Sequence, residues 1–465
     1  IEASRRGQSE LSAILGERVR LAVEKLIASH GPAFLAQADA PARQDIYVAA
    51  CRIVLRLVFT LFAEARDLLP RGNPIYWHSY SLAGLLEQLL RTGAGSGRER
   101  LRHRFSAWPR LIALGRLVHA GSPHEALPLL PYGGELFAPG DTASADGISR
   151  ALAVFESACF DPNHQIMSDH DVLEVLTLIT RTQTVIRQGR GRTTVTVPVD
   201  FSDLSSEYIG ILYEGLLDYE LRCVTEDEAA VLFLAIGHEP ALPLARLEQM
   251  NEQGMKDLVE AFKKAAKAPA GEGEEESEDA DESADDLPTD VDPSDLSDES
   301  DPSDLPEEEA TSPEPDTTHS VREAARARAL TWAKKAVVEG GLVPKPKKAK
   351  KNAPPTDDYE QRLTATARKF ISRLILPGEW YLVRWGGTRK GSGSFYTRPG
   401  LATPTIRRTL EPLAYERSDT STLIPRTPQA ILALKTCDPS CGSGTFPVGT
   451  LRYLTEALFQ SVFHN

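Results

Sequence analysis

The chain has 465 residues, 41% of them hydrophobic and 25% charged, an ordinary balance for a soluble globular protein. At roughly 150 residues per domain, that length corresponds to about three domains. No run of 18 uninterrupted apolar residues occurs and Ile1–Gln8 is charged and polar, so neither a transmembrane helix nor a secretory signal at the start is expected. Five cysteines without regular spacing do not make a disulfide framework and point to a reducing, cytoplasmic setting.

The formal net charge of -14 is concentrated in one stretch. Glu272 to Asp316 holds 22 Asp and Glu, and no Lys or Arg stands between Ala268 and Val321. The remainder has 52 basic against 44 acidic residues, about +8, which fits a nucleic-acid partner and equally a mixed solvated surface. The chain opens on Ile1 and closes soon after a motif that normally opens a domain, so a fragment of a longer protein is expected.

Residues 1–130 read as a helical domain. Leu11, Ile14, Leu15, Val19 and Val23 recur at three and four residues, and Ile46 to Leu69 repeats the pattern with more apolar residues. Asn73-Pro74 interrupts it, Ser81-Leu82 opens another helix to Thr92, and Gly93 to Gly97 breaks that one. Arg98 to Arg104, with five Arg or His in seven, is either a solvated helix face or a contact for a DNA backbone.

Residues 131–268 read as mixed, mainly helical structure. A helix is expected over Val172–Thr182, a short strand over Thr193–Val199, a capped helix over Ser205–Leu221, an apolar run over Ala229–Ile236 and a helix over Leu247–Lys267. Residues 269–320 form an acidic, Ser- and Pro-rich insert that cannot bury enough apolar surface to offset its chain entropy, and disorder is expected there. Residues 321–357 follow as a short helix and a linker with five lysines in Lys345–Lys351. From 358 onward a new domain is expected: a helix over Asp358–Leu374, a strand over Trp380–Trp385, and a short helix capped at Thr403-Pro404 and stopped by Pro412.

The stretch from Ile431 to Phe446 carries the chemistry. An apolar run reads as a buried strand, followed by Asp438, a glycine-rich turn, and a helix with Val448, Leu451, Leu454 and Leu458 on one face. Strand, turn and helix in that order open a doubly wound sheet, whose ligands lie at the carboxyl ends of the strands. The turn lacks Gly-Lys-Ser/Thr, so a nucleoside-triphosphate loop is unsupported. An acid at the strand end would repel a pyrophosphate and suits a ligand with an ammonium group, as in S-adenosylmethionine.

Asp438-Pro439-Ser440-Cys441-Gly442-Ser443-Gly444-Thr445-Phe446 resembles motif I of the N6-adenine DNA methyltransferases. Gly391-Ser392-Gly393-Ser394-Phe395-Tyr396-Thr397-Arg398-Pro399 resembles their motif X, and its position some 40 residues ahead is that of the gamma class. Arg398 departs from the usual Pro, and Pro447 from the usual Leu or Val. More loosely, Arg56–Pro70 and Tyr208–Leu217 look like segments ahead of the catalytic domain in large restriction-modification methylases and in DISARM- or BREX-type phage-defence methylases.

The resemblance implies an α/β, Rossmann-like catalytic part, only its start present, behind the helical region and the insert. It implies S-adenosylmethionine as cofactor and double-stranded DNA as substrate, with other defence-system subunits as further partners and no membrane. Asp438 would take the methionine ammonium; Pro439, Cys441, Gly442 and Gly444 would shape the loop beneath the cofactor. Tyr396, Thr397 and Pro399 would close the pocket, Thr397 near the carboxylate. A helix amino-terminal cap is the competing role for Asp438. The catalytic Asn/Asp-Pro-Pro-Tyr/Phe string does not occur in the 465 residues, so it is expected beyond Asn465 and the fragment alone is expected to be inactive. No Glu-x-Lys, Asp-x-Lys or Gln-x-Lys nuclease triplet occurs, no Gly-x-Ser-x-Gly occurs, and Cys159, His164 and His170 make at most a weak metal set. A non-catalytic DNA-binding or assembly subunit with the same fold, and a protein or RNA methyltransferase, remain as alternatives.

Overall fold

The computed structural model describes residues 2–36, 40–94, 97–157, 166–188, 191–202, 216, 219–225, 229–236, 240–267, 316–343, 357–384, 397, 399–417, 423–441 and 444–464. They form two compact units, one of residues 1–223 with 379–465 and one of Val224–Gly378. These units do not follow the segments expected from the sequence, because residues 357–378 pack with 224–343 and not with the residues after them. Residues 269–315 of the acidic insert and the lysine-rich part of the linker lie outside the described residues; the last five residues of the insert, 316–320, are a correction, because they begin the helix Asp316–Glu339 and are not disordered.

The first unit is built on α1 (Glu2–Leu35), α2 (Arg43–Ala65), α3 (Pro74–Ser79), α4 (Leu82–Thr92), α5 (Gly97–Arg102), α6 (Ala107–Ala120), α7 (Gly147–Ser157) and α8 (Asp169–Thr180). In α1 the buried residues Val19, Ala22, Val23, Leu26 and Ile27 recur at helical spacing, so one stripe faces the core. The helix starts are local: the Asn73 side-chain Oδ1 accepts from the N–H groups of Ile75 and Tyr76, and the Ser81 hydroxyl accepts from Gly84. Ser168 and Asp171 make a reciprocal capping box at the head of α8.

Helix α2 is long and apolar enough to cross a membrane by length and composition, and 83% of its apolar window is buried inside the protein. Its two buried charges are satisfied internally. Arg56 pairs with Glu156 at 3.0 Å and donates to the carbonyls of Leu136 and Ala138. The Glu64 carboxylate accepts from the Tyr76 and Ser81 hydroxyls and from the N–H groups of Leu82 and Ala83. Such satisfaction is what keeps an ion tolerable in a low-dielectric core.

A hairpin of β1 (Arg181–Gln188) and β2 (Gly191–Pro198) follows α8, and β3 (Tyr219–Cys223) pairs antiparallel with the distant segment Trp380–Arg384. The expected helix over Ser205–Leu221 is therefore corrected at its end: Tyr219–Leu221 are extended, because Trp380–Arg384 offers them a ladder. The rest of that segment lies outside the described residues, apart from Leu216 and residues 219–221.

In the second unit β4 (Val231–Leu234) is the fully buried centre of an antiparallel sheet, flanked by β5 (Ala241–Pro243) and β6 (Ile371–Ile375). Helices α9 (Leu244–Glu248), α10 (Glu252–Lys267), α11 (Asp316–Glu339) and α12 (Asp357–Phe370) contribute the rest of its core, where Phe370 meets Phe262 and Trp332. Two expectations change here. The helix over Leu247–Lys267 is broken around Met250-Asn251, and the helix over Asp358–Leu374 stops at Phe370 because Ile371–Ile375 pairs with β4.

After β7 (Trp380–Arg384), the chain continues as α13 (Pro399–Ala414), the hairpin β8 (Tyr415–Arg417) and β9 (Leu423–Pro425), α14 (Pro428–Leu432) and α15 (Thr445–His464). Helix α13 starts at Pro399, four residues before the expected start at Thr403, and runs past Pro412 to Ala414. The Thr405 hydroxyl donates to the Leu401 carbonyl one turn back, next to the bond that Pro404 cannot make.

All sheets among the described residues are antiparallel. The buried strand expected from Ile431 is a correction: Pro428–Leu432 is helical, capped by Thr427, and Leu434–Cys437 belongs to no strand. A buried strand needs a neighbouring strand to pair its backbone groups, and none pairs with this segment among the described residues. Consistently, Leu432, Leu451 and Phe463 remain largely exposed.

Candidate functional site

The turn between α14 and α15 is organised by its own backbone. Asp438 Oδ1 accepts the Ser440 N–H at 2.9 Å, an Asx turn that folds the chain over Pro439. The Gly444 N–H donates to the Cys441 carbonyl at 2.8 Å, and the Gly444 carbonyl accepts the Val448 N–H at 3.0 Å, which starts α15. Gly444 has φ +86°, in the left-handed region where a side chain is strained. A Cβ at this position would meet no atom within 4 Å, so the loop is open on that side.

Asp438 is half-buried, and its second oxygen, Oδ2, is shielded from water with no hydrogen-bond partner among the described residues. A carboxylate oxygen in that state has unused acceptor capacity. Pro439 and Cys441 are exposed, and the thiols of Cys437 and Cys441 are free. Gly442 lies outside the described residues. The helix-cap role weighed for Asp438 is not the one it fills: Gly444 starts α15, and Asp438 caps the turn ahead of it.

From the other motif, Thr397 is half-buried just ahead of α13 and Pro399 is the first residue of that helix; Tyr396 lies outside the described residues. The two motifs are linked by helix packing. Ala402, Ile406 and Leu410 of α13 cluster with Phe446, Tyr453 and Leu454 of α15. A Cβ on Gly449 would lie 2.4 Å from Ile406 Cδ1, and one helical stretch later Ala414 clusters with Ala457. Equal advances on both helices mean that they run parallel. Their amino-terminal ends, one preceded by Thr397 and the other by the Asp438 turn, therefore lie at the same end of the pair. Parallel helix starts sum their positive dipole ends and leave unpaired N–H groups there.

The weak metal set resolves differently. Cys159 and His164 lie outside the described residues, and His170 instead stands with Asp171 and Glu174, with ligand atoms within 4.8 Å of one another. The Lys25 ammonium already lies 3.2 Å from Asp171 and 2.8 Å from Glu174 and serves as the cation of this cluster.

A pocket that no sequence motif announced opens in the helical part of the first unit. It has about 220 Å³ and is lined by Gln88, Arg104, Arg110 and Asp169, among others. The Arg98–Arg104 cluster is its only trace in the sequence.

No family model, curated protein or solved structure matches this chain.

Proposed function

We propose that the chain is part of an S-adenosylmethionine-dependent DNA methyltransferase that modifies adenine N6, in a restriction-modification or phage-defence system. The observation that carries this reading is the Asp438–Gly444 turn, with an unused carboxylate oxygen and a glycine-open face at the head of α15. A methionine moiety is a zwitterion, and this end of the helix pair offers a partner for each charge. Asp438 Oδ2 is an acceptor for the ammonium, while Thr397 and the amino-terminal end of α13 suit the carboxylate. Pro439, Cys441, Gly442 and Gly444 would form the floor, with Tyr396 and Pro399 closing the opposite side.

The cofactor, when bound, supplies a methyl group activated by its sulfonium. This chain's residues would hold and orient its methionine end, and the Rossmann-like completion of the domain is part of the proposal. Adenine in a duplex must leave the stack, which costs a few kcal/mol. No Asn/Asp-Pro-Pro-aromatic string to receive it stands in these 465 residues, so they alone should not methylate DNA.

Calorimetric titration of the chain with S-adenosylmethionine, a nicotinamide dinucleotide and ATP tests the reading. One saturable S-adenosylmethionine site with no heat from the other two is expected. Binding of the dinucleotide or ATP in place of S-adenosylmethionine would overturn it.

A further inference from the structure

We propose that the pocket lined by residues of α3, α4, α5 and α6 is a phosphate site that grips the DNA backbone. Its volume of about 220 Å³ falls below the roughly 300–1,000 Å³ of sites for whole organic ligands, and it suits a single phosphate group.

The charges around it are arranged for an anion. Arg104 lines the pocket, is exposed, and its guanidinium has no partner among the described residues. Arg110 also lines it. One terminal nitrogen of Arg110 donates to Gln88 Oε1 and the other to the carbonyls of Trp77 and Ser81, which fixes the side chain, while its Nε is buried without a partner. Burial lowers the Arg110 pKa from its ordinary value, so a nearby anion would relieve a desolvated charge. Because Gln88 Oε1 faces Arg110, its amide nitrogen is left as a further donor. The one carboxylate in the lining, Asp169, is 2% exposed. Both its oxygens are already used, by the Ala107 N–H at 2.7 Å and the Ser106 hydroxyl at 2.9 Å.

Helix α5, whose Leu101 is among the lining residues, continues the pattern. Glu99, the only acid of α5, lies 3.7 Å from both Arg102 and His103. Arg98 and Arg100 are exposed and unpaired among the described residues. A pocket lined by two arginines, with two further arginines unpaired among the described residues on the adjoining helix, fits a polymer of phosphates better than one free phosphate ion. The inference rests on the proposed function for the choice of duplex DNA as that polymer.

The test is binding of a short random-sequence duplex to the full chain across a salt series. Each neutralised phosphate contributes about 0.9 to the slope of log K against log salt. Arg104→Ala should lower that slope by about 1 and weaken binding, and Arg98→Ala with Arg100→Ala should lower it further. Arg91→Ala, on the exposed end of α4 and paired with Glu87, should leave it unchanged. Slopes for the Arg104, Arg98 and Arg100 variants equal to wild type would overturn the proposal. So would saturable binding of inorganic phosphate, lost in Arg104→Ala, with DNA binding unaffected. The Arg104→Ala chain should bind S-adenosylmethionine like wild type, so the pocket and the proposed function fail separately: a salt slope that moves in a chain that binds no S-adenosylmethionine sinks only the latter.

Discussion

Glu64 offers the sharpest stability test because one buried carboxylate organises the start of α4 and ties it to the Tyr76 side chain of α3. It is 1% exposed and accepts four hydrogen bonds: from the Tyr76 hydroxyl at 2.8 Å, the Ser81 hydroxyl at 3.2 Å, and the Leu82 and Ala83 N–H groups at 2.8 and 3.0 Å. Two of those donors are the first N–H groups of α4, so the carboxylate also meets the positive end of that helix. Glu64→Ala strands all four donors in a site that water does not reach. A single hydrogen bond to a charged group is worth about 1.5–3 kcal/mol, but the four share one acceptor and cannot be summed. Each neutral buried donor left unsatisfied costs about 1–3 kcal/mol, so with four donors stranded at one site the loss should reach about 3–5 kcal/mol, a large part of the 5–15 kcal/mol that typically stabilises a domain. Glu64→Gln keeps one acceptor oxygen and should cost about half as much. Urea denaturation followed by hydrogen exchange in peptides over Tyr76–Thr92 reads both the global and the local loss. A Glu64→Ala change below about 1 kcal/mol, with unchanged protection of α4, would show that the network does not hold this region.

Four further outcomes follow from the same reasoning. His30 is fully buried between Trp108 and Phe155, and burial pushes its pKa down to about 4 from an ordinary 6.5. Above pH 6.5 both folded and unfolded forms are neutral; as the pH falls toward 4 only the unfolded form takes up a proton, so stability should fall by about 3 kcal/mol. His30→Phe should remove that component, measured as the difference between the two pH–stability profiles. Gly31→Ala would set a methyl 2.5 Å from Trp380 Cδ1 and should cost about 1–3 kcal/mol, with exchange rising in Trp380–Arg384. Deletion of residues 271–315, acidic and without a basic residue, should leave the melting temperature nearly unchanged. Thr397→Ala should weaken S-adenosylmethionine binding by about fivefold, as for a neutral hydrogen bond of about 1 kcal/mol, read by calorimetry.

Local signals in the sequence located local structure well. Ser81 and Gly93 bracket α4 as their capping chemistry requires, and the β-branched run Thr193–Val199 lies in β2, apart from its last residue. Elements decided by distant partners were not legible. Ile371–Leu374 reads as the end of a helix until β4, some 140 residues earlier, supplies a ladder, and Tyr219–Cys223 depends in the same way on Trp380–Arg384. In the candidate site the turn could be read, because an Asx residue and a positive-φ glycine are written into Asp438–Gly444. That the segment before it forms no strand could not be read, because apolar residues at 431–434 state a preference for burial and not a partner. The phosphate pocket was half-visible: the arginines stand in the sequence, whereas the enclosure comes from α3, α4 and α6 meeting in space.

The central claim, that the Asp438 turn holds the methionine end of S-adenosylmethionine, is tested most directly by calorimetric affinity in Asp438→Asn and Asp438→Ala. Asparagine keeps an oxygen for the Ser440 N–H and so preserves the turn while it removes the charge. The account predicts a loss of roughly 10- to 150-fold in both variants, the equivalent of a charge-assisted contact of about 1.5–3 kcal/mol. Wild-type affinity in both would contradict it and leave Asp438 as a turn-forming residue alone.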